Sequence, residues 1–245
     1  IGDSAMGAAQ SNGGALIENV AIGYRSLTRA KNQGNVAVGA YAGNELANTI
    51  WNTAIGYHAL ETDTTGSENT VVGTSAFRNN ADGVRNVSVG INTGYWATGD
   101  NNTYLGSYAG QGVNGRSTAN SNTAVGDFSL TAIRSGSQNV AMGESALGSD
   151  STGSRNVSIG AGSMDQKLRG DDNVALGFWA NRLDSAGNQT VAIGRDAAYN
   201  NQRSGTVAIG YQALYSNSVG STVAQALNNV AVGTSALSAN SLGSS

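Results

Sequence analysis

A five-residue motif recurs along the whole chain at a nearly constant spacing, and this repeat limits the fold more than any other feature. Its first position holds Asn, its second Val or Thr, its third a small residue, its fourth an aliphatic residue or Met and its fifth Gly. Examples are residues 52–56 (NTAIG) and 139–143 (NVAMG). Most intervals between successive motif glycines span sixteen or seventeen positions, and the three longer ones follow Gly2, Gly106 and Gly210. Insertions therefore fall between motifs. A nearly fixed period of this length indicates a solenoid of stacked coils. The motif glycines are Gly2, Gly23, Gly39, Gly56, Gly73, Gly90, Gly106, Gly126, Gly143, Gly160, Gly177, Gly194, Gly210 and Gly233.

The motif itself predicts a short β-strand that ends at the glycine. Val or Thr stands three residues before each complete motif glycine, and an aliphatic residue or Met stands directly before it. This alternation is typical of strands, and the Asn, Asp, Gly, Ser and Thr residues between motifs are typical of turns. The period leaves room for two short strands and two turns, but not for a helix and a strand. We therefore predict an all-β parallel β-solenoid of about 14 coils, formed by residues 1–245 as a single repeat solenoid.

The same alternation leads to a prediction about the core. We expect the Val or Thr, the aliphatic residue and the Leu-type residue after the turn to fill a narrow interior. The motif asparagines should stack as a ladder of amides, and the Ala positions should face outward, toward partner chains. Because so thin a roll is marginal alone, we expect side-by-side association. Tyr104 stands at one of the Ala positions, where it would crowd an oligomer axis and force the coil to widen.

Charge and composition exclude several classes of protein. The chain has 13 Lys and Arg residues against 16 Asp and Glu residues, and these are scattered, so no basic patch for nucleic acid is expected. The absence of cysteine excludes disulfides and thiolate metal sites. No apolar run approaches the roughly 18 residues of a membrane span, and no signal peptide is recognisable. We expect no nucleic-acid partner and no membrane insertion by this segment.

Residues 52–60 (NTAIGYHAL) and 207–214 (VAIGYQAL) resemble the head repeats of trimeric autotransporter adhesins of the Yersinia adhesin type. They equally resemble repeats found in phage tail fibres, and the resemblance covers essentially the whole chain. It implies a left-handed parallel β-roll, a homotrimer and a role in surface attachment. The coils are longer than those of the adhesin heads, which favours the phage-fibre form. Because the sequence begins inside a repeat and ends in Ser-rich sequence, we expect a segment of a longer fibre.

These features predict a structural and adhesive fibre segment with no enzymatic activity. It is expected to be extracellular, on a cell surface or a virion tail, and to bind a cell-surface glycan or a protein receptor. One alternative is a passive spacer of a fibre whose binding tip lies elsewhere. A solenoid acyltransferase-like enzyme is a remote alternative. Enzymes of that kind carry three hexapeptides in each coil, whereas each coil of this chain carries one motif.

Few residues suggest catalytic or metal chemistry. His58 is the only histidine and stands two residues after a motif glycine, so we expect an outward turn residue. The string Gly-Gly-x-Gly-x-Asp of calcium-binding rolls is absent, and we expect the aspartates between motifs to be solvated turn residues. They are Asp63, Asp82, Asp100, Asp150, Asp171, Asp172 and Asp184. We predict no catalytic residue, no metal and no cofactor.

Exposed aromatic residues are the remaining candidates for ligand contact. Aromatic rings can stack on the apolar faces of sugars, although stacked columns of rings could equally cover the coil corners and contact a neighbouring chain. Irregular loops usually carry recognition, so ligand contacts in the long intervals near residues 8–18, 110–121 and 215–228 would favour recognition over spacing. We expect such contacts at residues 111–121 or 215–228. The candidate ligand contacts are Tyr108, Arg116, Trp96, Trp179 and Tyr215.

Overall fold

The computed structural model describes residues 2–6, 18–114, 117–217 and 228–239. The chain divides into two units, Ile1–Asn122 and Thr123–Ser245. The fold is an all-β parallel β-solenoid with a repeat of about 17 residues and about 12 turns. The sequence-based estimate of about 14 coils was too high, and it counted Gly2, which has no strand before it in the described residues.

In the first unit, each coil contributes one three-residue strand to a parallel sheet whose order follows the sequence. The strands are β1 (Val20–Ile22), β2 (Val36–Val38), β3 (Thr53–Ile55), β4 (Thr70–Val72), β5 (Val87–Val89) and β6 (Thr103–Leu105). Motif residues pair with motif residues, so that Ala37 lies beside Ala21 and Ala54. The constant spacing therefore stacks equivalent residues in columns.

The second unit repeats this arrangement and adds a small second sheet. Its strands are β7 (Thr123–Val125), β8 (Val140–Met142), β9 (Val157–Ile159), β10 (Val174–Leu176), β11 (Val191–Ile193), β12 (Asn200–Asn201), β13 (Val207–Ile209), β14 (Ser216–Asn217) and β15 (Val230–Val232). Strands β12 and β14 pair with each other, and the other seven belong to the main sheet. The expectation of two strands per coil was wrong for most of the described coils. Turns occupy the second half, and their N–H groups donate to carbonyls of the coils on either side.

The predicted assignment of the two strand faces was wrong. The middle residue of the main-sheet strands, which is small in all but β4 and β6, points into the coil, and Ala37, Ala54 and Ala141 are fully buried within the single chain. The flanking Val, Thr, Ile, Leu and Met side chains lie on the outer face, half-buried or exposed. The Leu-type residues after the turn are buried as predicted in all but one case, since Leu237 in the last described coil is exposed. The buried ones are Leu27, Leu60, Phe77, Leu130, Leu147, Met164 and Leu214.

The narrow cross-section of the coil explains this arrangement. The Ser88 hydroxyl donates to the Thr93 carbonyl of the same coil at 3.2 Å, and Ser158 bonds Ser163 in the same way. The middle strand residue therefore faces the following turn directly across the interior. Only small side chains fit at this distance, because buried groups pack without overlap. The larger aliphatic side chains consequently occupy the outside.

The predicted asparagine ladder is present and lies inside the coil. The Asn69 Oδ1 accepts the Asn86 backbone N–H at 2.9 Å, and the Asn86 Oδ1 accepts that of Asn102 at 2.8 Å. Most of the ladder amides also cross their own coil, as Asn86 Nδ2 does to the Gly99 carbonyl at 2.9 Å. The ladder thus ties each strand to the opposite turn and to the next coil, which satisfies polar groups that the narrow interior would otherwise leave unpaired.

The Tyr104 side chain fills the interior of its coil and does not point outward as predicted. Its ring is fully buried 6.0 Å from the Phe77 ring, and a Cβ at Gly110 would lie 2.5 Å from it. Glycine therefore replaces the usual Leu-type residue at position 110, which makes room for the ring. Burial raises the pKa of the Tyr104 hydroxyl, with the Asn122 amide offsetting part of this effect. That hydroxyl makes no hydrogen bond of standard geometry among the described residues.

The turn after each motif glycine has a special backbone. A Cβ at Gly73, where φ is +140°, would lie 2.2 Å from the Gly90 carbonyl oxygen, so side chains are excluded there. Two residues after the glycine, non-glycine residues hold a left-handed conformation, with φ of 59° at Tyr41 and 57° at His58. This conformation is uncommon. The fourth residue after the glycine shares this conformation but is buried, as at Leu27, whereas most side chains at the second position stay at least partly exposed and can form a surface.

Candidate functional site

The outer surface of the turns carries three columns of side chains, at the first, second and fifth positions after each motif glycine. We call these columns the outer turn. In the coil of Gly177 they hold Phe178, Trp179 and Arg182. Because coils are in register, each side chain lies beside its counterparts in neighbouring coils. The outer turn is therefore where the chain can vary its chemistry without changing the core.

In the second unit, the outer turn forms a cleft of about 250 Å³ beside Trp179. The Phe178 and Trp179 rings stack at 4.3 Å with 28° between their planes. The Arg182 guanidinium lies 4.8 Å from the centre of the Trp179 ring, in a cation–π contact. The residues that line the cleft are Glu144, Ser145, Ala161, Gly162, Asp165, Phe178, Trp179 and Arg182.

Arg182 links the cleft to a second group of rings. Its Nη2 lies 3.4 Å from Asp165 Oδ2, and its Nη1 donates to the Tyr199 hydroxyl at 3.3 Å. The Tyr199 ring is 6.2 Å from Trp179 and stacks on Tyr215 at 4.9 Å. Two of the predicted contacts, Trp179 and Tyr215, therefore lie on either side of Tyr199 in one aromatic run.

The first unit repeats the carboxylate, arginine and tyrosine arrangement. Arg78 Nε lies 2.7 Å from Glu61 Oε2, and Arg78 Nη1 lies 3.4 Å from the Tyr95 hydroxyl. His58 also reaches this group, with its Nδ1 2.6 Å from Glu61 Oε2 and its ring stacked on Tyr41 at 4.8 Å. His58 is on the outer turn as expected, but neighbouring side chains largely cover it.

Trp96 and Tyr108 lie near the insertion that follows Gly106. The Trp96 backbone bonds both ends of it, donating to the Gln111 carbonyl and accepting from the Ser117 N–H. The Trp96 ring contacts Tyr95 at 4.9 Å, and Tyr108 is half-buried at the second position of its outer turn. Arg116 lies outside the described residues, as do most of the insertions near 8–18 and 215–228.

Sequence reasoning missed the paired arginine clusters, although the sequence contains their signal. The members of each cluster stand one full period apart, each of them five residues after a motif glycine. This signal appears only when equivalent positions of successive coils are compared. The motif alone does not show it, because the clustered side chains lie outside the five motif positions. The two clusters are Glu61, Arg78 and Tyr95 in the first unit and Asp165, Arg182 and Tyr199 in the second.

Three of the seven turn aspartates are buried, so the expectation that all seven are solvated was wrong. They are Asp63, Asp150 and Asp184. Each accepts hydrogen bonds from the turn that follows, as Asp63 Oδ1 does from the Thr65 and Gly66 N–H groups. Burial raises the pKa of Asp63 to about 7, against the lowering effect of these bonds. Burial likewise raises the pKa of Asp150.

Asp150 and Asp184 belong to a buried column with Lys167. The Lys167 ammonium is fully buried, 3.1 Å from Asp184 Oδ2, and donates to the Gly187 carbonyl at 2.7 Å. Its positive charge also acts on Asp150, one coil away on the other side. A buried charge is tolerated only with such partners. This column has a structural role inside the coil and does not face the outer turn.

Metal-ligand clusters and long apolar helices are both lacking in the described part of the chain. No cluster of three or more His, Cys, Asp or Glu side chains there could hold a metal ion. No helix there is long and apolar enough to cross a membrane.

A scan against protein-family models found no matching family, and searches of curated proteins and of solved structures found no significant match.

Proposed function

We propose that the chain is a non-enzymatic segment of an extracellular attachment fibre, on a cell surface or a virion tail, built as a homotrimer of left-handed β-solenoids. The observation that carries this proposal is the outer face of the strands. In both units it presents Val, Thr, Ile, Leu and Met, and the exposed fractions of its most open aliphatic side chains run from 39% to 67%. Contiguous apolar surface of this kind on a soluble protein marks an interaction site.

The chemistry of this face suits association with copies of the same chain. No charged residue stands at either outward strand position in any coil, and interface centres are depleted of charge. Covering one half-exposed aliphatic side chain contributes on the order of 1 kcal/mol, and each coil offers one or two. The left-handed winding of the solenoid and the trimeric state are proposed from the resemblance to trimeric adhesin heads and tail fibres. The face that associates is then the aliphatic one, and the Ala positions stay in the core.

The outer turns support attachment over passive spacing. A spacer needs only regular coils, whereas both units display arginine, carboxylate and aromatic side chains in contact with one another. Trp, Tyr and Arg are the residue types enriched where proteins bind partners. The ligand would be a cell-surface glycan or a protein receptor.

Size-exclusion chromatography with light scattering tests the assembly. The wild-type protein should give the mass of three chains, each of 24.7 kDa. The double variant Ile55→Lys/Val87→Lys adds two charges to the aliphatic face, where the side chains are 39% and 40% exposed. It should fold but shift toward the monomer mass, whereas Thr74→Lys, on the outer turn, should keep the wild-type mass. A well-folded wild-type monomer would refute the proposal.

A further inference from the structure

The cleft beside Trp179 owes its existence to two small residues. Ala161 and Gly162 occupy the first two positions of one outer turn, between Glu144 and Ser145 in the coil before and the Phe178 and Trp179 rings in the coil after. The backbones are in register, since the Gly162 N–H donates to the Glu144 carbonyl at 2.9 Å. Removing side-chain volume from one coil between two larger neighbours leaves a notch of about 250 Å³.

The indole of Trp179 lies directly against the floor of this notch. A Cβ at position 162 would lie 2.5 Å from Trp179 Cδ1 and 2.7 Å from Nε1, so only glycine admits the ring. Phe178 and Arg182 cover the indole by stacking. The ring is therefore held in place before any ligand arrives, which reduces the entropy lost on binding.

Two polar groups of the notch lack partners. Among the described residues, no cation pairs with the Glu144 carboxylate and no acceptor receives the Trp179 Nε1 proton. Asp165 accepts from Arg182 and Gln166 through Oδ2, which leaves the acceptor capacity of its Oδ1. The notch thus offers carboxylate acceptors and one N–H donor beside Phe178, whose ring is 40% exposed.

We propose that this notch binds a neutral pyranose, as the terminal unit of a glycan. A pyranose has C–H faces that pack on an aromatic ring and hydroxyl groups that donate to carboxylates and accept from an indole N–H. The lining holds two carboxylates and one guanidinium, and this balance disfavours sialic acid, uronic acids and phosphates. The volume lies just below the roughly 300–1,000 Å³ of drug-sized sites, which suits one sugar ring. A larger cleft of about 400 Å³ near Leu168 has no aromatic lining.

This inference rests on the proposed attachment role only for the origin of the sugar. From the binding energy per heavy atom that is typical of small ligands, a single hexose binds with a Kd on the order of 1 mM. Three copies around a fibre would raise the effective affinity by multivalency. The single-site affinity can nevertheless be measured on the chain whatever its oligomeric state.

Saturation-transfer NMR on the full chain tests the site, with the methyl glycosides of glucose, galactose and mannose as probes and N-acetylneuraminic acid as the anionic comparison. We expect at least one neutral glycoside to bind and N-acetylneuraminic acid to bind more weakly. Phe178→Ala and Glu144→Ala, both exposed and therefore compatible with folding, should each weaken binding at least tenfold. Tyr211→Ala removes a ring of similar exposure, 45%, from the same column outside the cleft and should leave binding unchanged.

Several results would overturn the proposal. One is that no neutral glycoside binds at about 20 mM, a concentration well above the Kd expected from its size. The second is that N-acetylneuraminic acid binds more tightly than the neutral glycosides, and the third is that both cleft variants keep the wild-type affinity. Light scattering on the same samples separates this proposal from the previous one. A monomer that binds glycosides rejects the assembly and keeps the site, whereas a trimer that binds none rejects the site alone.

Discussion

Replacement of Asp63 by Asn should change how the stability of the solenoid depends on pH. Asp63 is fully buried, its Oδ1 accepts the Gly66 N–H at 2.6 Å, and its Oδ2 accepts from Asn80 Nδ2 at 3.2 Å. Burial raises its pKa from 3.8 to about 7 in the folded state. Between these values the folded chain holds a proton that the unfolded chain has released. Stability from this group is therefore present below about pH 4 and is lost as pH rises toward 7.

The size of the effect follows from the two pKa values. A difference of about 3 units at ~1.4 kcal/mol per unit gives a loss of about 4 kcal/mol in the free energy of unfolding from pH 4 to pH 8. The amide introduced by Asp63→Asn cannot titrate, but its Nδ2 would face Asn80 Nδ2, and this unpaired contact costs about 1–3 kcal/mol at every pH. The variant should thus be less stable than the wild type at pH 4 and more stable at pH 8.

Urea unfolding at steps between pH 4 and pH 8 measures both profiles. Glu68→Gln, which removes an exposed carboxylate five residues away, serves as the control and should give a profile parallel to the wild type. The profiles of the wild type and Asp63→Asn should cross. Parallel profiles for these two proteins would refute the reasoning, because they would mean that Asp63 titrates at the same pH in both states.

Four further substitutions, at three buried positions, test the interior by urea unfolding. Tyr104→Phe should change stability by less than about 1 kcal/mol, because the hydroxyl has no well-formed bond to lose, whereas Tyr104→Ala should cost about 3–5 kcal/mol through the cavity it leaves. Asn86→Ala should cost about 3 kcal/mol by leaving two buried backbone groups unpaired. Lys167→Met should cost about 3–5 kcal/mol at pH 7 by leaving Asp150 and Asp184 without their cation, and acidification should recover part of this loss.

The period made the solenoid, the strand positions, the register and the asparagine ladder predictable from the sequence. Alternation showed that Thr53 and Ile55 share one face and that Ala54 lies on the other, but it could not show which face is inside. The larger apolar residues were placed in the core because apolar side chains are the ones usually buried. The signal for the opposite answer was the second small residue of the coil, Ala59, which is buried like Ala54. The equivalent positions of other coils bond each other across an interior too narrow for larger side chains.

The buried aspartates were missed for a related reason. Asp63 stands seven residues after its motif glycine, where other coils carry Ala30, Leu46 and Ile133, all buried. Its column therefore indicated burial even though its residue type indicated a solvated turn. The cleft could not be predicted in this way, because it depends on the volume that Ala161 leaves beside its neighbours and on the orientation of the rings.

The in-register stacking of coils has a genetic consequence. Within a unit, a residue such as Val71 meets its counterparts one coil away on each side, Ala54 and Ser88. An in-frame deletion or duplication of one full period would thus join two surfaces that already match, with no other part of the interior redesigned. Recombination between repeats could then alter the number of coils, and with it the number and spacing of outer turns on display. Selection can act on copy number as a heritable trait separately from the sequence of any one coil.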